Sequence, residues 1–201
     1  MIALQKTLGR VLVATGALAF LLWGYMMGHG LLFQRTASRM LQEQISLANL
    51  AREQGSAPPH TTMTPLRKGQ AIGRLEIPRI NMSVIVLEGS DSSILDVAAG
   101  HIPGTALPGA SGNIGIAAHR DTFFRSLREI RPKDRLTFTT PLRTFEYGVE
   151  STEIVDPENV GVLGATVDAE LTLVTCYPFN YIGAAPKRFI VHAFLSPSTG
   201  K

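Results

Sequence analysis

A single cysteine, Cys176, is the residue of this 201-residue chain best suited to covalent chemistry. It ends the apolar, β-branched run 171–175 and is followed by Tyr177 and Pro178. Because proline has no amide hydrogen and restricts the residue before it, a strand should end at or just past the cysteine. A thiol at a strand end can meet a ligand and act as a nucleophile. The alternative is a small, buried apolar residue, since free cysteine is often buried.

Two further residues occupy similar positions at the ends of apolar runs. His119 follows the run 114–118, and Arg188 begins a β-branched run after Pro186 and Lys187. One sheet could therefore bring a thiol, an imidazole and a guanidinium to the same rim. Nearby positive charge would favour the thiolate, which is the attacking form of a cysteine. Taken singly, His119 could be satisfied by local hydrogen bonds and Arg188 by a surface ion pair.

Three ordered motifs carry these residues: AAHRDTFF at 117–124, TLVTC at 172–176 and CYPFNYIGAAPKRF at 176–189. With an apolar N-terminal segment, they resemble the sortases, which are membrane-anchored cysteine transpeptidases, and are most similar to class D. The resemblance covers about residues 71–195. Ala118, where relatives often carry glycine, and Lys133, where Gly-Asp is common, are small departures.

The resemblance implies a role for each residue. Cys176 would attack a carbonyl of an LPxTG-like C-terminal sorting signal in a secreted protein and form a thioacyl enzyme. His119 would protonate the leaving amine and deprotonate the incoming one. Arg188 would orient the substrate or stabilise the oxyanion, because an arginine is too basic to act as the base. The acceptor would be an amine of a cell-wall peptide or a pilin lysine.

Substrate-binding residues are predicted on both sides of the nucleophile. The connection 156–169 is apolar with few charges, and Val162 and Leu163 within it predict a pocket for the Leu-Pro part of the signal. Thr175 is expected to hydrogen-bond either the substrate or the adjoining turn. Tyr177 either packs or shapes the rim of the pocket.

Composition argues against several other kinds of site. The net charge is only +3, from 19 basic and 16 acidic residues, and no basic stripe is interleaved with aromatics, so nucleic-acid binding has little support. No Cys/His cluster has zinc spacing, and no glycine-rich loop follows a strand. We expect neither a metal nor a cofactor.

The N-terminal segment predicts a membrane anchor. Residues 11–33 are almost entirely apolar and would span about 34 Å as a helix, enough to cross a bilayer. We expect residues 1–33 to form a cytoplasmic tip and single-pass anchor in the cell membrane. A juxtamembrane helix and a Pro/Ser/Thr linker should occupy 34–69, and the helix is interpreted as a solvated spacer rather than a dimerising coil. The catalytic domain, 70–201, would lie outside the cytoplasm.

Many short apolar runs separated by turn signals predict an all-β barrel or sandwich. The resemblance narrows this to an eight-stranded sortase-type β-barrel with short helices, preceded by the N-terminal transmembrane helix. Helices are predicted at 91–98 and 122–129. Strands are predicted at 71–77, 82–87, 113–118, 135–139, 144–155, 171–175 and 188–195.

Two alternatives to a sortase remain open at this stage. One is an L,D-transpeptidase-like enzyme, which also uses cysteine and histidine, although its usual serine-histidine-glycine-cysteine run is absent here. The other is a membrane-tethered β-domain that binds a partner without catalysis. Thiol labelling separates the second case, because an inert thiol would react slowly and without dependence on His119.

Overall fold

The computed structural model describes residues 2–53 and 66–197 of the chain. A long helix, α1 (Ile2–Glu53), precedes the strands, and a short helix, α2 (Ser92–Leu95), lies among them. Three 3-10 helices occupy Pro78–Ile80, Arg125–Glu129 and Val160–Leu163. The strands are β1 (Ala71–Ile77), β2 (Met82–Glu88), β3 (Ala99–His101), β4 (Gly112–Ala117), β5 (Arg135–Thr139), β6 (Thr144–Val155), β7 (Ala169–Tyr177) and β8 (Lys187–Leu195).

The eight strands form a closed barrel in the order β1-β2-β3-β4-β7-β8-β6-β5. The β2–β3 and β4–β7 pairs are parallel, and the other pairs are antiparallel. Closure gives every strand two neighbours and leaves no open sheet edge. The predicted eight-stranded barrel is confirmed.

The barrel is filled by the apolar residues that alternate along its strands. Leu171 and Leu173 of β7, Ile114 and Ile116 of β4 and Phe138 of β5 are all fully buried. Side chains two residues apart on a strand point to the same face of the sheet. These apolar side chains therefore point into the barrel. Truncating a buried phenylalanine to alanine typically costs about 3–5 kcal/mol, so this core stabilises the frame that carries the site.

One short strand, β3, directly follows the predicted helix 91–98 and was not predicted from the sequence. The predicted helix 91–98 is only the short α2, capped by the Asp91 side chain, which accepts from the Ser93 amide. The chain then enters β3, which pairs with β2 and β4. His101, the last residue of β3, is only 3% exposed. Its Nδ1 lies 2.7 Å from Glu88 Oε2.

The C-terminal half of α1 packs against the barrel, so its interpretation as a solvated spacer is wrong. Leu41 is buried in a cluster with Ile85, Leu87, Ile94 and Ala98. The Gln34 side chain accepts from the Ile85 amide at 2.9 Å and donates to the Val97 carbonyl at 2.7 Å. The buried Leu41 and the two hydrogen bonds of the Gln34 side chain hold this part of the helix against β2 and α2.

The remaining N-terminal predictions are not supported or lie outside what can be described. Residues 11–33 are helical, but no helix within 2–53 and 66–197 combines the length and apolar character that crossing a bilayer requires. The predicted transmembrane helix is therefore not supported. Most of the predicted linker, 54–65, lies outside the described residues.

Candidate active site

The parallel pairing of β4 and β7 brings His119 and Cys176 to one rim. The last registered pair is Ala117 with Val174, and the ladder continues with a 3.3 Å hydrogen bond from the Ala118 amide to the Val174 carbonyl. His119 and Cys176 each lie two residues beyond that pair. Both therefore leave the sheet at the same end of the barrel, as predicted.

Cys176 and Arg188 are direct partners in the antiparallel β7–β8 ladder. Directly opposite residues have Cβ atoms about 4.5–5.5 Å apart and share one face of the sheet. Cys176 is a free, half-buried thiol. Arg188 Nη1 donates to the carbonyls of Lys187 at 3.1 Å and Ala185 at 3.4 Å. The neighbouring Lys187 forms the surface ion pair, with Asp156 at 2.6 Å.

His119 remains accessible and has a carboxylate beside it. Its side chain is 41% exposed, and its Nε2 lies 3.7 Å from Asp96 Oδ1. Asp96 is the residue that ends α2. Sequence reasoning did not single out this aspartate, because it lies 23 positions from the histidine and no local pattern links the two.

The two predicted binding residues next to the nucleophile have packing partners. Thr175 is buried, and its hydroxyl donates to the Ala118 carbonyl at 2.7 Å, so it joins β7 to the residue before His119. The Tyr177 ring stacks on Phe189 at 6.3 Å and meets Phe179 edge-on at 6.0 Å. These contacts fix the strand ends around Cys176: Thr175 bonds the residue just after β4 rather than the adjoining turn, and the Tyr177 ring packs against its neighbours.

The β6–β7 connection, residues 156–168, crosses β4 through its 3-10 helix. Leu163 covers Gly115, where an added Cβ would come within 2.8 Å of the leucine Cδ2. The Val162 carbonyl accepts from Asn113 Nδ2 at 3.0 Å. Val160 and Val167 are 73% and 92% exposed. The connection therefore has both a packed and an exposed apolar part.

A polar cavity of about 370 Å³ lies beneath this connection, near the start of β7. His192 lines it together with two carboxylates: its Nδ1 lies 2.6 Å from Glu170 Oε1 and its Nε2 3.0 Å from Glu153 Oε1. Burial acts to lower the pKa of His192, but the bonds to both carboxylates outweigh it and raise the pKa above its usual value. His192 is half-buried on β8.

Arg120, which follows His119 directly, was also missed. Its Nη2 donates to the carbonyls of Tyr181 at 2.7 Å and Gly183 at 3.0 Å. Both acceptors belong to the β7–β8 loop, residues 178–186. A partner so distant in sequence could be found only from the folded chain.

The arrangement as a whole suits acyl transfer. A thiol at a strand end can act as a nucleophile, and a solvent-accessible imidazole just beyond the neighbouring strand can carry a proton. A guanidinium opposite the thiol can donate to a developing oxyanion. In the described part of the chain, no group of three or more His, Cys, Asp or Glu residues is arranged to hold a metal.

Comparison with known proteins points to one family. The Sortase domain family model matches residues 75–196. Sortase D of Bacillus subtilis is 39% identical over 125 residues, which cover 62% of this chain and 63% of that protein. Sortase A of Listeria monocytogenes is 27% identical over 191 residues, covering 86% of this chain and 84% of the relative.

Solved structures agree with this match. A Clostridium perfringens Sortase D5 transpeptidase superposes with a TM-score of 0.66 at 27% identity, over 80% of this chain and 98% of that one. The likeness to sortase D proteins agrees with the class D motifs of the sequence. These matches do not favour the L,D-transpeptidase or the non-catalytic alternative.

Proposed function

Because this chain belongs to the sortase family, whose members are cysteine transpeptidases, we propose that it cleaves a C-terminal sorting signal and transfers the acyl group to an amine. The observation that carries the proposal is the pairing of Cys176 with Arg188 at the rim that His119 also reaches. Fold alone does not establish a function, whereas three reactive groups at one rim support a specific reaction.

The first half of the reaction forms a thioester. The Cys176 thiolate attacks the threonine carbonyl of the signal, and a bond forms between Sγ and the carbonyl carbon. The carbon–nitrogen bond to the following residue then breaks, and the imidazolium of His119 gives its proton to the leaving amine. In the second half, an incoming amine attacks the thioester and gives its proton to His119, which restores the thiolate and the imidazolium.

Arg188 would act on the oxygen of that carbonyl. As the carbonyl becomes tetrahedral, its oxygen gains negative charge that a fixed donor can stabilise. A guanidinium suits this because it stays charged and presents several donors in one plane. Its Nη1 already donates to two backbone carbonyls, so the group is held in place on β8.

The substrate would be a secreted protein that ends in an LPxTG-like signal, and the acceptor an amine of a cell-wall peptide or a pilin lysine. The apolar β6–β7 connection supports binding of the Leu-Pro portion, with Val162 and Leu163 nearest β4. Thr175 would hold the strand end, and Tyr177 would shape the adjoining rim.

We also propose that α1 holds the enzyme at the cell membrane, with the catalytic domain outside the cytoplasm. Support comes from large apolar side chains that are each more than half exposed on this helix: Val11, Leu12, Val13, Leu18, Phe20, Leu21, Leu22, Trp23 and Tyr25. An exposed apolar surface of this size commonly marks a membrane or protein contact. Retention of the full chain in membranes after alkaline carbonate extraction is the expected result, and its release would contradict this proposal.

A transfer assay tests the enzymatic proposal. The full chain is incubated with a Leu-Pro-Ala-Thr-Gly peptide and an excess of a small primary amine, and products are identified by mass spectrometry. We expect a peptide cut after threonine and joined to the amine. Cleavage by water alone would indicate hydrolysis without transfer, and an intact peptide would contradict activity on this signal.

A further inference from the structure

One arginine, Arg120, joins the segment that carries His119 to the loop that follows Cys176. Its two hydrogen bonds end on the carbonyls of Tyr181 and Gly183. Its guanidinium carbon also lies 5.8 Å from the centre of the Tyr181 ring. All three contacts are made to the β7–β8 loop.

The contacts that Arg120 makes with the loop contribute more than the little apolar surface that the tip of the loop buries. Hydrogen bonds from a charged donor are stronger than those between neutral groups, and a cation over an aromatic ring adds attraction. Tyr181 is 47% exposed and Ile182 is 98% exposed, so the tip of the loop buries little apolar surface. Gly183, with φ of +104°, allows a conformation that other residues rarely adopt.

The position of this loop matters because of where it begins and ends. It starts two residues after Cys176 and ends two residues before Arg188. A peptide held between the thiol and the guanidinium must therefore pass beside the loop. Where the loop lies decides how much room the peptide has.

We propose that Arg120 is a positioning residue that fixes the β7–β8 loop as one wall of the peptide-binding surface. This inference rests on the proposed transpeptidase function, because it assigns the wall to that substrate. Arg120 acts through the loop rather than on the reacting atoms. It therefore controls capture of the peptide and not the reactivity of Cys176.

The contacts of Arg120 give the β7–β8 loop only a moderate net stabilisation. Its Nη1 is buried and has no hydrogen-bond partner in the part of the chain that the structure describes. An unmet buried donor is destabilising, and this offsets part of the gain from Nη2. Loss of the side chain should free the loop while leaving the barrel folded.

The test compares Arg120→Met, which keeps the apolar stem, and Arg120→Lys, which keeps the charge, with Arg125→Met as a matched control. Arg125 is exposed on the 3-10 helix Arg125–Glu129. Four quantities are measured on the full chain in detergent micelles: amide hydrogen exchange in residues 179–185, KM for the Leu-Pro-Ala-Thr-Gly peptide, the rate of Cys176 alkylation by iodoacetamide, and Tm.

We expect faster exchange in the loop and a KM raised about tenfold in Arg120→Met, as loss of charge-assisted hydrogen bonds implies. Arg120→Lys should recover only part of the loss, because an ammonium lacks the planar fork of a guanidinium. Alkylation of Cys176 and Tm should stay near their original values, and Arg125→Met should change none of the four quantities.

Unchanged loop exchange in Arg120→Met would overturn the inference, as would faster exchange with an unchanged KM. The exchange measurement needs no turnover. If the unaltered protein failed to process the peptide, the proposed function would be contradicted, and exchange would still show whether Arg120 holds the loop.

Discussion

Cys176 and Arg188 are direct cross-strand partners, placed side by side by the register of the β7–β8 ladder. The sequence separates them by a loop of nine residues, 178–186, together with Tyr177 and Lys187. The pairing places a permanent positive charge next to the only thiol of the chain. The adjacent Lys187 instead forms an ion pair with Asp156, so Arg188 and Lys187 make different contacts.

Arg188→Ala should lower kcat roughly 10²–10³-fold if the guanidinium stabilises the oxyanion. Arg188→Lys should recover little of this, because its ammonium cannot contact two oxygens in one plane. Lys187→Met is the matched control, since it removes a neighbouring charge that serves only the exposed pair with Asp156. If Lys187→Met lowered kcat as much as the Arg188 variants do, net charge near the thiol rather than the position of the guanidinium would explain the effect.

His119→Gln should lower transfer by roughly 10²–10⁴-fold, because the amide cannot carry a proton between the amines. Since the side chain is 41% exposed, its loss should hardly change Tm. Single-turnover kinetics with the signal peptide, together with thermal unfolding, separate the two effects. Activity close to that of the unaltered protein would remove His119 from the mechanism.

Leu163→Asp should weaken capture of the signal peptide about tenfold in KM, because a charge would replace an apolar contact surface. Iodoacetamide should still alkylate Cys176 at its original rate. Val167→Asp is the control, since this residue lies in the same connection but is 92% exposed. If acyl-enzyme formation were unchanged in Leu163→Asp, the Leu-Pro pocket would lie elsewhere, such as under the β7–β8 loop.

His192 should make stability depend on pH in the neutral to alkaline range. Its folded-state pKa is raised by Glu170 and Glu153 against the opposing effect of burial. The resulting stabilisation is fully present below the unfolded pKa of about 6.5 and is lost as pH rises through the folded pKa. Tm should therefore fall, as pH rises above about 6.5, more steeply in the unaltered protein than in His192→Gln. Parallel curves of Tm against pH for the two proteins would show that titration of His192 does not contribute to stability.

Sequence patterns located the long strands of the barrel well. The predicted ranges 71–77, 135–139 and 144–155 coincide with β1, β5 and β6. Buried and less buried residues alternate along β5, along most of β1 and in the middle of β6, which is the pattern that predicts a strand. The strand β3 was missed because three residues, Ala99–His101, are too few to show a period. Its pairing with β2 and β4 comes from the closed barrel.

The three reactive residues of the site could be predicted from the sequence, but the residues that contact them or the adjoining loop could not. Cys176, His119 and Arg188 each stand at a strand end, which local pattern reveals. Arg120 and Asp96 contact the site across the folded chain, at separations that no local pattern covers. The packing of α1 on the barrel was likewise hidden, because the apolar face that makes it is short: Leu41 is buried, and Phe33, Ala37 and Ile45 are only partly buried beside it.

Trapping the acyl enzyme tests the central claim most directly. The full chain is mixed with a Leu-Pro-Ala-Thr-Gly peptide without an added amine, quenched in acid, and analysed by intact mass spectrometry and peptide mapping. We predict an added mass equal to the peptide up to threonine, attached to Cys176 and removed by hydroxylamine. Cys176→Ala should show no adduct and an unchanged Tm, since the substitution opens only a small gap. An adduct on another residue, or one that persists in Cys176→Ala, would contradict the assignment of Cys176 as the nucleophile.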